Sequence, residues 1–295
     1  MTGQPPGGVA DSAEEPRPPR RRRVLIKVGG ATLVDGAARR ALAQDLAAIG
    51  GGVDLVVVHG GGPQASALGQ RLGIEPVFRA GRRVTDPATL DVVAMALVGG
   101  VGSELLAALL AENVRAVSTP VASGRLLRAK RRPKRLVAGE PEPVDFGEVA
   151  DPGAVDGSLC EALWHGGFVP VLSSLCVDDG GARLNLNADS AARALALGLG
   201  VDDVIAVADV PGVFGELGRP ETHRATLTPA EARAMVASGA VKGGMIAKLE
   251  ELAALVEGGV AACWIVGAAE SRPITRALRG EPGLRTRIGL TAEAP

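Results

Sequence analysis

Short apolar runs that end in glycine recur along this chain, each followed by a stretch with helical spacing, and this alternation restricts the fold more than any other feature. Residues 24–28 read Val-Leu-Ile-Lys-Val and stop at Gly29-Gly30, the pattern of a buried strand and the turn after it. The spacing predicts a helix over 37–49, stopped by Gly50-Gly51-Gly52. A second strand over 54–58 runs into His59-Gly60-Gly61-Gly62-Pro63, and a helix follows to about residue 72. Further strands are expected over 114–118, 169–172, 204–208 and 262–266. Further helices are expected over 89–110, 158–165, 188–199, 228–238 and 245–257, the first of them broken near Gly99-Gly100. Residues 125–137 read as a basic hairpin or exposed loop, 133–152 as an excursion from the sheet and 209–212 as a turn. Strands separated by helices predict an α/β fold around a mostly parallel sheet.

Composition fits that fold. Aromatic residues make up only 2% of the 295 residues, so the core rests on Val, Leu, Ile and Ala, which suits buried parallel strands under Ala-rich helices. A formal net charge of -1 gives no global field for nucleic acid or a membrane surface. Cys160, Cys176 and Cys263 are odd in number and lack metal-ligand spacing, so free thiols in a cytoplasmic, reducing compartment are expected. Residues 1–23 are rich in Pro, Gly and Arg and read as a solvated, disordered tail without the apolar stretch of an export signal. No apolar run reads as long and continuous enough to span a bilayer.

In a parallel sheet, ligands collect at the carboxyl ends of the strands. Lys27 with Gly29-Gly30 stands at one such end, and a buried ammonium there calls for an anion unless its head reaches solvent. Gly60-Gly61-Gly62-Pro63 offers free amides at a helix start, an anion site or simply a tight turn; His59 reads as a turn residue. Asn185-Leu186-Asn187-Ala188-Asp189 puts three polar side chains before and in a helix start where one suffices for capping. Lys248, early in the helix after Gly243-Gly244, opposes the helix dipole. There is no P-loop, dinucleotide fingerprint, nucleophile elbow or zinc-spaced histidine pair.

With these residues the chain resembles the amino-acid kinase family over roughly 24–289. The matching segments occur in the family's order: Ile26-Lys27-Val28-Gly29-Gly30, Val58-His59-Gly60-Gly61-Gly62-Pro63, Gly81-Arg82-Arg83-Val84-Thr85-Asp86, the Asn185 to Asp189 run, Asp209-Val210-Pro211-Gly212-Val213, and Gly243-Gly244-Met245-Ile246-Ala247-Lys248. The resemblance implies an open three-layer αβα sandwich of two lobes: residues 24–176 for an acyl amino acid and dimerisation, and 177–295 for ATP. It implies ATP-dependent phosphorylation of the side-chain carboxylate of N-acetyl-L-glutamate, with MgATP as co-substrate, no organic cofactor and no protein-held metal. By position Lys27 and Lys248 would flank the transferring phosphoryl group, Gly30 and Gly62 would offer it amides, and Asp189 would hold the lysines. Gly61, Arg83, Asn185 and Asn187 would bind the acyl substrate, and Asp209 and Gly212 would serve the nucleotide. A carboxylate nucleophile with a pKa near ~4.3 is already ionised, so no general base is needed.

The chain departs from the family pattern at Gly99-Gly100-Val101-Gly102-Ser103, at Val121-Ala122-Ser123-Gly124, at Ala247 and at Arg285-Thr286. Two alternatives stand beside this reading: a kinase for aminoadipate or glutamate carried on an acidic protein, received by the basic cluster within 125–135, and a non-catalytic amino-acid sensor. The proline-rich start further implies a homodimer insensitive to arginine.

Overall fold

The computed structural model describes residues 20–291, apart from 138 and 217. Eight strands form its main sheet: β1 (Arg22–Val28), β2 (Val53–His59), β3 (Ala116–Pro120), β4 (Val169–Ser173), β5 (Asp203–Ala208), β6 (Thr226–Leu227), β7 (Ala262–Gly267) and β8 (Arg285–Gly289). Their order is β6-β8-β7-β5-β1-β2-β4-β3, parallel except at the β7–β8 pair. The expected α/β class and mostly parallel sheet are therefore present.

Alternation along the strands explains the layers. Leu25, Val56, Val58 and Leu172 point to one face, beneath α4 (Ser158–His165), α5 (Ala188–Gly198) and α7 (Gly244–Glu257). Val24, Ile26, Val28, Leu55 and Val57 point to the other, beneath α1 (Gly36–Ile49), α3 (Pro87–Ala111) and α8 (Pro273–Arg279). Two further helices, α2 (Gly62–Arg71) and α6 (Pro229–Ala237), complete the set among the described residues.

Three expectations need correction. First, β1 starts at Arg22 rather than residue 24, because its cations are tied down: Arg20 pairs with Asp202 and Arg22 with Asp203, both at 2.6 Å. That part of the expected tail is not simply solvated, and residues 1–19 lie outside the described residues. Second, the helix over 89–110 is not broken at its glycines. It runs through Pro87–Ala111 and widens to a π-helix over Met95–Gly102, where Ser103 Oγ donates to the Gly100 carbonyl at 2.9 Å. Third, this same helix is long and apolar enough to cross a membrane by length and composition. The apolar side chains cover the sheet instead, through Val101, Leu105 and Leu109. Of the two readings of 125–137 the antiparallel pairing holds and the exposed loop does not: Leu127–Arg131 pairs antiparallel with Ala150–Val155, and Leu126, Leu127 and Ala129 are buried.

Candidate active site

At the carboxyl ends of β1 and β2, the starts of α2, α5 and α7 surround a cleft of about 790 Å³. Nine of the eleven residues singled out from the sequence line it: Lys27, Gly30, Gly61, Gly62, Arg83, Asn185, Asn187, Asp189 and Lys248. The other two, Asp209 and Gly212, lie in the turn after β5 and do not line it.

Lys27 leaves β1 on the face that α5 covers, and its ammonium pairs directly with Asp189. Asp189 stands in the first turn of α5, where the helix dipole favours an anion. Asn187 fixes that turn: its side-chain oxygen accepts from the backbone N–H of Asp189 at 2.9 Å and of Ser190 at 3.0 Å. Capping thus occupies that oxygen. Lys248 comes from a third element, in the second turn of α7. Burial, then the charge of Lys27, pull its pKa below the ordinary lysine range, while Asp189 and Asp209 push it back up. Two ammonium groups and a carboxylate from three separate elements therefore share one partly desolvated space.

The glycine turns form the floor. Gly30 and Gly61 touch: a Cβ on Gly30 would lie 2.9 Å from the Gly61 Cα, closer than atoms allow. Gln64 donates to the Gly30 carbonyl at 2.8 Å, and Gly60 N–H donates to the Val28 carbonyl at 3.3 Å. Gly61 caps α2, with Pro63 in its first turn, so this turn presents a helix N-terminus to the cleft.

The far end of the cleft is built from ribbons. Arg83 lies in the hairpin of Phe78–Arg79 and Arg82–Arg83, with its guanidinium 4.9 Å over the Phe78 ring. It donates to the Gly62 carbonyl at 3.0 Å and to Ser66 Oγ at 2.7 Å, and burial lowers its pKa. Asn185 ends the ribbon Leu175–Val177/Arg183–Asn185 and donates to Thr85 Oγ1 at 3.1 Å.

Sequence reasoning missed two charged residues in the cleft. Glu251 stands three residues after Lys248 on the same helix face, a spacing that was readable. Burial, then Asp189, raise its carboxyl to about 7 against the pull of Lys27 and Arg193. Arg132 is buried, with Nε on Asp151 at 2.9 Å. Nothing local marks it within its basic run; its burial comes from the ribbon around it. Three of the six other cations in that run are paired in place: Arg128 with Asp179, Arg131 with Asp145 and Glu148, and Arg135 with Asp151. It therefore presents less free charge to an acidic carrier than its sequence does.

Comparison with known proteins gives one consistent answer. The model of the amino acid kinase family matches residues 22–267. The acetylglutamate kinase of Sorangium cellulosum (strain So ce56) is 44% identical over 274 residues, 92% of this chain and 96% of that protein. The acetylglutamate kinase of Methanocaldococcus jannaschii is 35% identical over 267 residues, 90% of this chain and 89% of that one. Among solved structures, the N-acetylglutamate synthase of Neisseria gonorrhoeae in complex with coenzyme A and N-acetyl-glutamate superposes with a TM-score of 0.76 at 24% identity, over 92% of this chain and 60% of that one. An isopentenyl phosphate kinase superposes with a TM-score of 0.58 at 22% identity, over 90% of this chain and all of that one. Both structural likenesses speak for the fold alone.

Proposed function

The chain belongs to the amino acid kinase family, and from that premise we propose that it transfers the γ-phosphoryl group of ATP to the side-chain carboxylate of N-acetyl-L-glutamate. The products are ADP and an acyl phosphate, as arginine biosynthesis requires. The observation that carries this reading is the meeting of Lys27, Asp189 and Lys248 at one end of a cleft whose other end holds Arg83 and Asn185. Relatives named acetylglutamate kinase, matched over nine-tenths of the chain, favour this substrate over a carrier-borne acid and catalysis over sensing.

The reaction brings two anions together, so the protein's task is positioning and charge stabilisation. In this reading Lys27 and Lys248 hold the phosphoryl oxygens from opposite sides. Gly30 and Gly62 add backbone N–H donors. Asp189 fixes the lysines without itself exchanging a proton. Arg83 grips the α-carboxylate with its planar fork, and Gly61, Asn185 and Asn187 hold the rest of the acyl substrate. Asp209 and Gly212 belong to the nucleotide side, and Mg²⁺ would enter with ATP, held by its phosphates and by water. The lobes 24–176 and 177–295 divide the work between acyl substrate and nucleotide, which agrees with a sheet whose β3, β4, β2 and β1 half meets its β5, β7, β8 and β6 half at the β1–β5 pair. A cytoplasmic homodimer insensitive to arginine completes the reading; the exposed Met95 and Leu110 on α3 offer apolar surface for pairing.

The test is a substrate panel in which acyl phosphate is trapped as hydroxamate: N-acetylglutamate, N-acetylaminoadipate, free glutamate and aspartate. Turnover on N-acetylglutamate well above the others is expected. Preference for another acid would overturn the substrate assignment, and no product with any of them would favour a non-catalytic role.

A further inference from the structure

His59 ends β2, directly before the glycine turn that forms the cleft floor. Its side chain is fully buried. The two ring nitrogens differ sharply. Nδ1 lies 3.0 Å from the Gly60 carbonyl oxygen, a hydrogen bond to the turn itself. Nε2 is buried without a hydrogen-bond partner, as is the hydroxyl of Ser173, which sits beside His59 in the β2–β4 register. The ring also abuts the π-helical segment: a Cβ on Gly102 would lie 3.6 Å from Nε2 and 2.8 Å from Ser118 Oγ. The imidazole is thus wedged between the glycine turn and α3 and does not line the cleft.

A carbonyl oxygen can accept only, so the bond to Gly60 requires the proton on Nδ1. Burial pushes the ring's pKa below its usual value, which agrees with a neutral imidazole carrying that single proton. The consequence follows from peptide planarity. In a trans peptide, C=O and the next N–H point in opposite directions. Holding the Gly60 carbonyl against His59 therefore turns the Gly61 N–H away from it, on the side where Gly30 and the cleft lie. Glycine at 60, 61 and 62 leaves this turn few steric limits of its own, so an external clamp matters more here than in an ordinary turn.

We propose that His59 is a positioning residue for phosphoryl transfer, its Nδ1–H holding the Gly60 carbonyl so that the Gly61 amide, and the helix start that follows it, face the reacting groups. This rests on the reading above in which the amides of that turn contact the substrates. The buried, unpartnered Nε2 agrees with that tautomer; Ser173 sits beside His59 in the strand register, and Ser118 shares with the ring the contact at Gly102.

Two near-isosteric substitutions separate the nitrogens, because an Asn amide nitrogen stands close to the Nδ1 position and a Gln amide nitrogen close to Nε2. In the hydroxamate assay with N-acetylglutamate and ATP, His59→Gln should lower kcat roughly 10- to 100-fold with much smaller changes in either KM, as a misplaced donor would. His59→Asn should recover most of that loss. Equal kcat for His59→Gln and wild type, or equal damage in both variants when both melt like wild type, would overturn the proposal. Imidazole ¹⁵N NMR of the wild-type chain gives a second measurement that needs neither variants nor turnover. It should show Nδ1 protonated and Nε2 bare; the opposite tautomer would overturn the proposal even if both variants failed to fold. If wild type itself makes no acyl phosphate, the functional reading fails separately, and the tautomer still decides whether the clamp exists.

Discussion

The two ends of the cleft hold their charged groups in different ways. At the end that the proposed function assigns to the acyl group, polar side chains are tied to fixed neighbours: Arg83 to the Gly62 carbonyl and Ser66, Asn185 to Thr85, and Arg132 to Asp151 and the Ala150 carbonyl. At the phosphoryl end, Lys27 pairs with Asp189, whereas Lys248 and Glu251 are governed mainly by burial and by the fields of nearby charges. In the proposed reaction the first arrangement, with its fixed geometry, would select a substrate by shape. The second would offer charge for a polyanion to reorganise, and it holds two groups whose pKa values the surroundings have moved, Lys248 downward and Glu251 upward.

That contrast can be broken by experiment. If the phosphoryl end works through charge, Lys27→Ala and Lys248→Ala should each lower kcat by roughly 100-fold or more, by analogy with the loss of one oxyanion donor. The KM for N-acetylglutamate should change far less. A loss confined to that KM in steady-state assays would mean that the ends had been assigned the wrong way round.

If the acyl end works through geometry, Arg83→Lys should raise the KM for N-acetylglutamate by roughly 10-fold, since a point charge cannot replace a bidentate fork. Its kcat should stay near wild type. A merely electrostatic site would tolerate the change.

Glu251 sharpens the comparison through pH. Its carboxyl titrates near 7 in the folded chain against 4.5 when free, so between those values the folded state holds the extra proton and stability falls as pH rises. Below 4.5 the group contributes no penalty, and above about 7 the penalty is complete. Glu251→Gln should therefore raise the melting temperature at pH 8 and leave it nearly unchanged at pH 4. Partial exposure limits the gain to on the order of 1–2 kcal/mol. The same variant should flatten any rise in the KM for ATP across neutral pH, because Asp189, Lys27 and Arg193 surround a carboxylate that otherwise gains charge there. Equal melting shifts at both pH values would show that the carboxyl is not perturbed. The smallest effect is expected outside the cleft: Lys130→Ala and Lys134→Ala should leave turnover unchanged and shift stability by no more than about 0.5 kcal/mol. A clear loss of activity there would reopen the case for a docked acidic partner.

The parallel strands were legible because each is a short, mostly β-branched or aliphatic run bounded by turn residues, and β1, β2, β4, β5 and β7 lie within two residues of their expected ends. What sequence did not reveal depends on distant partners. β8 reads Arg-Thr-Arg-Ile-Gly and becomes a strand by pairing antiparallel with β7, Trp264 against Arg287 and Cys263 against Ile288. The start of α8 is capped by Asp45, some 230 residues earlier, which accepts from the N–H groups of Ile274 and Thr275. In the cleft, Lys27 and Lys248 announced themselves by standing where a cation is awkward, and Asp189 as a polar group beyond what capping needs. Arg132 did not, because its burial depends on Asp151 across the Leu127–Arg131 ribbon.

The contact between Gly30 and Gly61 leaves less than a methyl group of clearance beneath the cleft. The two turns therefore behave as one hinge pin shared by neighbouring strands: neither can drift, on an evolutionary scale or within a catalytic cycle, unless the other yields. A larger residue at position 30 would first be felt at the opposite turn, before any lysine had moved.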